Sequence, residues 1–351
     1  MRLVRRRSLI VVLLAAMLLA SCGTRQDRDT GPAALLFYAR DGAIYVCDHS
    51  GTPRKLTSGP GDTQPAPSPD GKRVAYVHRT AADEPGGELR VFDLESGQSR
   101  RLVDPAALVP TFEDERPGVE YPRWSPTGDR IAFLKATFGG GGFLLTAAAD
   151  SGVVLAPDKP LFADPGYSWS PDGTRIAWVA GRSDVRPVDV GVLTVGGLST
   201  AVATDTNAVS VSFDRDGRSI LFSNGDATGD LFASIPFALR KGGIYAVDPS
   251  ASPALLFGGT AFYSDVQALK TGEIGFTESD EKARTKTIRV LGSDRAPRTV
   301  APTAFDAPPP AWADDGSLAY VGDSAERPLL VKADGDPQRI DRGVEAFDWS
   351  G

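Results

Sequence analysis

The segment SNGDATGD, from Ser223 to Asp230, sets Asn224, Asp226 and Asp230 at short spacing. Oxygen-bearing side chains so placed are the donors a calcium ion takes. The rest of a calcium loop does not follow them. His49 and His78 are the two imidazoles available for acid–base work, and Cys47 is the one thiol in the body of the chain. Glu113, Asp114, Glu115 and Glu120, with Arg116 among them, make an acidic segment in DPAALVPTFEDERPGVE, and Arg240 and Lys241 make a small basic one. No G-x-S-x-G elbow, H-E-x-x-H helix, P-loop or paired cysteine ligands occur. These residues point away from catalysis, and the expectation from them is a protein that is not an enzyme and needs no cofactor or metal.

The elements that position these residues are repeats. Turn glycines Gly71, Gly128, Gly173, Gly217, Gly272 and Gly316 each follow a short strand (PAPSPD, PRWSPT, YSWSPD, VSFDRD, VQALKT, PAWADD). After them come second strands RVAYV, RIAFL, RIAWV, SILFS, EIGFT and SLAYV. A seventh first strand, FDWSG, ends the chain, and its second strand is ALLFYA, beginning at Ala34. Third strands (IYVCD, LRVFD, FLLTA and their equivalents) and fourth strands (RKLT, RRLV, VVLA and theirs) complete each unit. Seven units of four strands predict an all-β, seven-bladed β-propeller over residues 33–351. Its ring is closed by three N-terminal strands and one C-terminal strand, which removes exposed sheet edges. A six-bladed ring is the alternative.

Turn chemistry explains the recurring residues. In Ser-Pro-Asp-Gly, proline pre-sets φ, Asp suits the next position, and Gly takes the left-handed conformation that rejoins the strand. Asp70 and Asp172 are therefore read as turn formers. Trp124, Trp169, Phe213, Trp312 and Trp349 recur once per unit and are expected to wedge between blades.

The repeat resembles the family of TolB-like propellers, whose units carry a WSPDG-type turn followed by IAF-type and IYV-type strands. The likeness is clearest in the units beginning at Pro65, Tyr121 and Tyr167, and only the pattern survives in VQALKTG and PAWADDG. It implies a propeller. The chain departs from TolB, which has six blades and a preceding α/β domain, so TolB's role in envelope transport is not implied.

First-to-second and third-to-fourth turns share one side of such a ring, and all are short. The other side receives the long segments 78–88, 104–120, 135–143 and 223–243. Loop length placed on one side of a rigid scaffold marks that side as the binding face. The candidate residues there are Glu113, Asp114, Glu115, Arg116, Phe138, Arg182, Arg240 and Lys241. His49 and His78 fall on opposite sides and cannot share a site.

The first 21 residues read as a secretory leader: Arg2, Arg5, Arg6 and Arg7, an apolar run from Leu9 to Ala20, then small residues. Leu19-Ala20-Ser21-Cys22 resembles a bacterial lipobox, which implies lipidation of Cys22 and a polar tether over 22–32. Losing the leader's arginines makes the chain more acidic than the -7 of the whole, which argues against nucleic acid as a partner. Cys47 is then left without a partner cysteine and is expected to be a buried small residue. Arginine outnumbers lysine 29 to 9, which with the alanine content points to a high-GC Gram-positive bacterium. The resulting expectation is a monomeric propeller held by lipid on the outer face of the cytoplasmic membrane. It binds another envelope protein or a small envelope ligand. The rival is a hydrolase or lyase using acidic residues or a metal in the central channel.

The anchor is tested directly. Cys22→Ala is expected to abolish lipid processing and membrane retention in fractionated cells. A variant that stays with the membranes as wild type does, and is released by detergent alone, contradicts the assignment.

Overall fold

The computed structural model describes residues 34–48, 51–81, 86–110, 117–136, 141–180, 188–225, 242–333 and 335–350. These form seven antiparallel sheets. The first comprises Asp62–Pro67, Arg73–His78, Glu88–Asp93 and Gln98–Val103, paired in that order, and the next five repeat the arrangement. In the seventh, Val344–Trp349 pairs with Leu36–Arg40, which pairs with Ala43–Cys47 and then Arg54–Lys55. Neighbouring first strands touch one another, which places them around the axis. The chain is a seven-bladed β-propeller, closed by one C-terminal strand as its repeat predicts.

One blade departs from the expected four strands. Val154–Leu155 and Phe162–Ala163 both pair with Gly142–Ala148. Its outer strand is split in two, because Pro157 and Pro160 lie between the halves and cannot donate to a ladder.

Burial explains the composition of each strand. The second strand packs between two neighbouring blades, so Val74, Ala75, Tyr76 and Val77 are all buried. The fourth strand faces outward and reads as polar, with Gln98 to Arg101 exposed. Pairing register identifies one aromatic at the same level of every second strand: Tyr38, Tyr76, Phe133, Trp178, Phe222, Phe276 and Tyr320, all buried.

The turns close as the sequence implies. Ser68 Oγ donates to Asp70 Oδ1 (2.6 Å) and accepts from Arg73 N (2.9 Å), while Lys72 N donates to Asp70. Ser170, Asp172 and Arg175 repeat this network. The hydroxyl of Ser170 and the N–H of Thr174 hold the Asp172 carboxyl down at about 2. Turn glycines such as Gly71 sit at φ 68°, where any Cβ would be strained.

The aromatic wedges also bond. Trp124 Nε1 donates to Ala66 O (2.8 Å), Trp169 to Arg123 O (3.1 Å) and Trp349 to Ala311 O (3.2 Å), in each case the inner strand of the preceding blade. Trp312 keeps the wedge without the bond, its N–H buried without an acceptor. An arginine two residues past the turn glycine works in the other direction. Arg73 lies 4.6 Å from the Trp124 ring and donates to Gly128 O, and Arg175 does the same with Phe213 and Gly217. Such hydrogen bonds and cation–π contacts contribute about 1 kcal/mol each.

Deleting residues 344–351 removes Trp349 and uncovers the edge of Leu36–Arg40. Losing the buried tryptophan alone costs about 3–5 kcal/mol, a large part of a domain's typical stability. The truncated chain is expected to melt far below the full one. Melting within about two degrees of it contradicts seven-bladed closure.

Candidate functional site

The topology brings the roots of the long segments to one side of the ring. Ala136 pairs with Gly142 and Asn224 with Gly243, at the points where two of the segments leave and return. Glu113, Asp114, Glu115, Arg116, Phe138, Arg182, Arg240 and Lys241 themselves lie outside the described residues, as do Cys22, His49, Asp226 and Asp230.

Around these roots the described residues form charged pairs that join strands and blades. Asp62 and His78 are cross-strand partners, and His78 Nδ1 lies 2.6 Å from the buried Asp62 Oδ1. Arg79 reaches to the next blade and pairs with Glu120 at 2.5 Å. Glu120 is therefore not the solvated loop acid its sequence neighbours suggest. It sits on an inner strand, and burial raises its carboxyl against the pull of Arg79. Lys286 and Asp265 pair at 3.3 Å, and Arg289 and Glu278 at 2.6 Å. Lys135 is buried, with Nζ on Val109 O (2.9 Å) and over the Phe143 ring.

Backbone contact fixes two of the roots together. Gly87 and Val119 bridge, and a Cβ on Gly86 would come within 2.7 Å of Gly118 C. Only glycine allows this approach, so segments 82–85 and 111–116 return to adjoining points.

Cys47 is a buried free thiol that burial pushes up to about 12, so it is inert at neutral pH, as its sequence context implies. Asn224 is fully buried, on the last residue of Ile220–Asn224. Among the described residues no three His, Cys, Asp or Glu converge to hold a metal.

The channel wall holds charges that sequence reasoning missed. One inner-strand position recurs in every blade, set by its pairing: Ala66, Arg123, Ser168, Ser212, Gln267, Ala311 and Asp348. Ser168 and Ser212 use their hydroxyls to accept from Phe213 N and Ala268 N of the following blade. Among the described residues Asp348 accepts only from its neighbour Trp349 N (2.9 Å). Its counterpart donor in the following blade would be residue 67, a proline, which has no N–H. Crowding at the channel wall raises the Asp348 carboxyl from 3.8 to about 6, although Arg123 and the Trp349 N–H pull it down. Asp348 keeps part of its surface, so channel water sets the size of this effect and crowding its direction. Aligning the repeats position by position would have singled out Asp348 as the one acid at this level.

The sequence matches no protein-family model. Among solved structures, the chain is similar to TolB from Acinetobacter baumannii at 14% identity and a TM-score of 0.53, covering 91% of this chain and 67% of that one. It is similar to a puromycin-hydrolyzing peptidase of Mycobacterium tuberculosis at 16% identity and a TM-score of 0.64, over 90% of this chain. This chain spans about half, 52%, of that peptidase. A manganese complex of oligogalacturonate lyase matches at 13% identity and a TM-score of 0.61, over 87% and 83% of the two chains. At such identities the likeness is one of fold, and the resemblance to TolB-like propellers holds at that level. The expectation of a protein that is not an enzyme is corrected by the same comparison. Propellers of this architecture occur in a peptidase and in a lyase, so missing motifs do not exclude catalysis.

Asp348 gives a pH test with a definite sign. Its folded value lies above its ordinary 3.8, so the fold holds a proton that the unfolded chain releases. Stability then falls between about pH 4 and about pH 6 and is flat above. Asp348→Asn removes this slope. It is expected to melt higher than wild type at about pH 8 and equally at about pH 4. Identical melting at both would show that the carboxyl is not crowded.

Proposed function

We propose that this chain is an extracytoplasmic propeller, anchored through lipid on Cys22, that binds a protein or small ligand of the bacterial envelope on its long-segment side. The observation that supports this most is the rooting of segments 111–116, 137–140, 181–187 and 226–241 on one side of a closed ring. A ring stiffened by blade-to-blade bonds can carry such segments at little cost to its own stability, since loop length adds closure entropy only slowly. The acidic run Glu113 to Glu115 suits a basic patch on the partner, and electrostatic complementarity of this kind acts mainly on association rate.

A catalytic reading is favoured by one observation. Asp62 holds the His78 imidazole from its Nδ1 side, an arrangement that orients a ring for proton transfer.

The binding reading is tested by crosslinking in the native envelope, followed by charge reversal of Glu113, Asp114 and Glu115 to Lys. The reversed protein is expected to fold normally and to capture its partner more slowly, with weaker salt dependence. Glu95→Ala, on the short-turn side, is expected to change nothing. Equal capture by the reversed and wild-type proteins removes the reason for placing function on that side.

A further inference from the structure

Arg123 and Asp348 occupy the same level of the channel wall, two blades apart, yet no ion pair joins them among the described residues. Arg123 is turned toward the blade that follows it. Its Nη2 donates to Pro165 O (3.2 Å) and its guanidinium lies 5.1 Å from the Tyr167 ring. The side chain is otherwise exposed, on the inner strand Val119–Trp124. A guanidinium carries five N–H donors, so most of its capacity is unspent. Asp348 is the complementary case, a carboxylate with one backbone bond where Ser168 and Ser212 close onto the next blade.

An acid at such a junction lowers stability unless something completes it. Serine serves the same level twice in this chain, so an acid is not required by the fold. A lone cation drawn to Asp348 meets the field of Arg123, and a lone anion drawn to Arg123 meets that of Asp348. A ligand carrying both charges is attracted at both ends, and one carrying either alone is discriminated against.

We propose that Asp348 and Arg123 form a dipolar site on the channel wall for a small zwitterion of the amino-acid or short-peptide class. The ammonium sits at the Asp348 carboxylate and the ligand's carboxylate on the free edge of the Arg123 guanidinium. The Asp348 end lies toward the short-turn mouth, two residues from Ser350, which bonds Leu35 where the closing pair begins, and the Arg123 guanidinium reaches along the wall toward Pro165.

Trp349 and Trp124 adjoin the two charges in sequence, so intrinsic fluorescence offers a readout, with calorimetry as a second. Glycine, glycylglycine and triglycine are titrated to find the matching span, with acetate and methylammonium as half-ligands. Saturable binding is expected for at least one of the zwitterions. It should weaken about tenfold or more in Asp348→Asn and in Arg123→Gln, the scale of one hydrogen bond to a charged group. Each half-ligand should bind at least as weakly as the variants do. A melting curve confirms that each variant is folded. Absence of saturable binding by all three zwitterions overturns the proposal. So does unchanged binding in both folded variants, and so does acetate binding as tightly as the best zwitterion, which would make this a simple anion site.

Discussion

The pairing of Val344–Trp349 with Leu36–Arg40 is the constraint on which the ring depends. Residues more than 300 apart in sequence meet there. Backbone and side-chain bonds between Ser350 and Leu35 extend the ladder past its last pair. Without this strand the edge of Leu36–Arg40 would be open, a template for pairing with other chains. With it, every blade has a neighbour on both sides, and that condition lets seven second strands be apolar on both faces. The buried aromatic in each of them is a consequence of closure as much as a cause of it.

Much of this was legible in the chain because it is written locally. A turn glycine, a preceding Ser-Pro-Asp and an apolar pentad each specify a hairpin within about a dozen residues, and repetition makes the count unambiguous. What was not legible is what one blade does to the next. The arginines at 73 and 175 look like ordinary strand starts until the neighbouring turn is seen beneath them. Glu120 reads as part of an acidic loop because Glu113 to Glu115 precede it, yet register puts it on an inner strand facing Arg79. The split outer strand was signalled by Pro157 and Pro160, but where the ladder resumes depends on Gly142 and Phe143, in another strand. The candidate binding residues share the opposite fate: their positions in the topology follow from the repeat, and their geometry does not.

The two sides of the ring are unlike for a physical reason. First-to-second turns are locked by side-chain networks such as Ser68–Asp70–Arg73, which leave no freedom for length. The other side is held by charged pairs and by glycine contact at Gly86 and Gly118, which fix only where a segment begins and ends. Asp62–His78 and Arg79–Glu120 therefore stiffen the roots while leaving what lies between to vary. A propeller divided in this way can change what it binds, or acquire chemistry, without disturbing its core. That is why likeness to a peptidase, a lyase and TolB can coexist in one architecture.

The junction between last and first blades shows the converse, a place where the repeat itself is broken. At this level two blades close with a serine hydroxyl on a backbone N–H, two carry alanine, and the others carry Arg123 and Gln267. Here an acid faces a proline, and neither can satisfy the other. Closure tolerates this because Trp349 and Phe347, on the opposite face of the same strand, are buried against the preceding blade. The strand thus has one face that secures the ring and one that leaves a charge in the channel. A departure from the local rule that the surrounding packing could have avoided with a serine is the kind that folding alone does not explain.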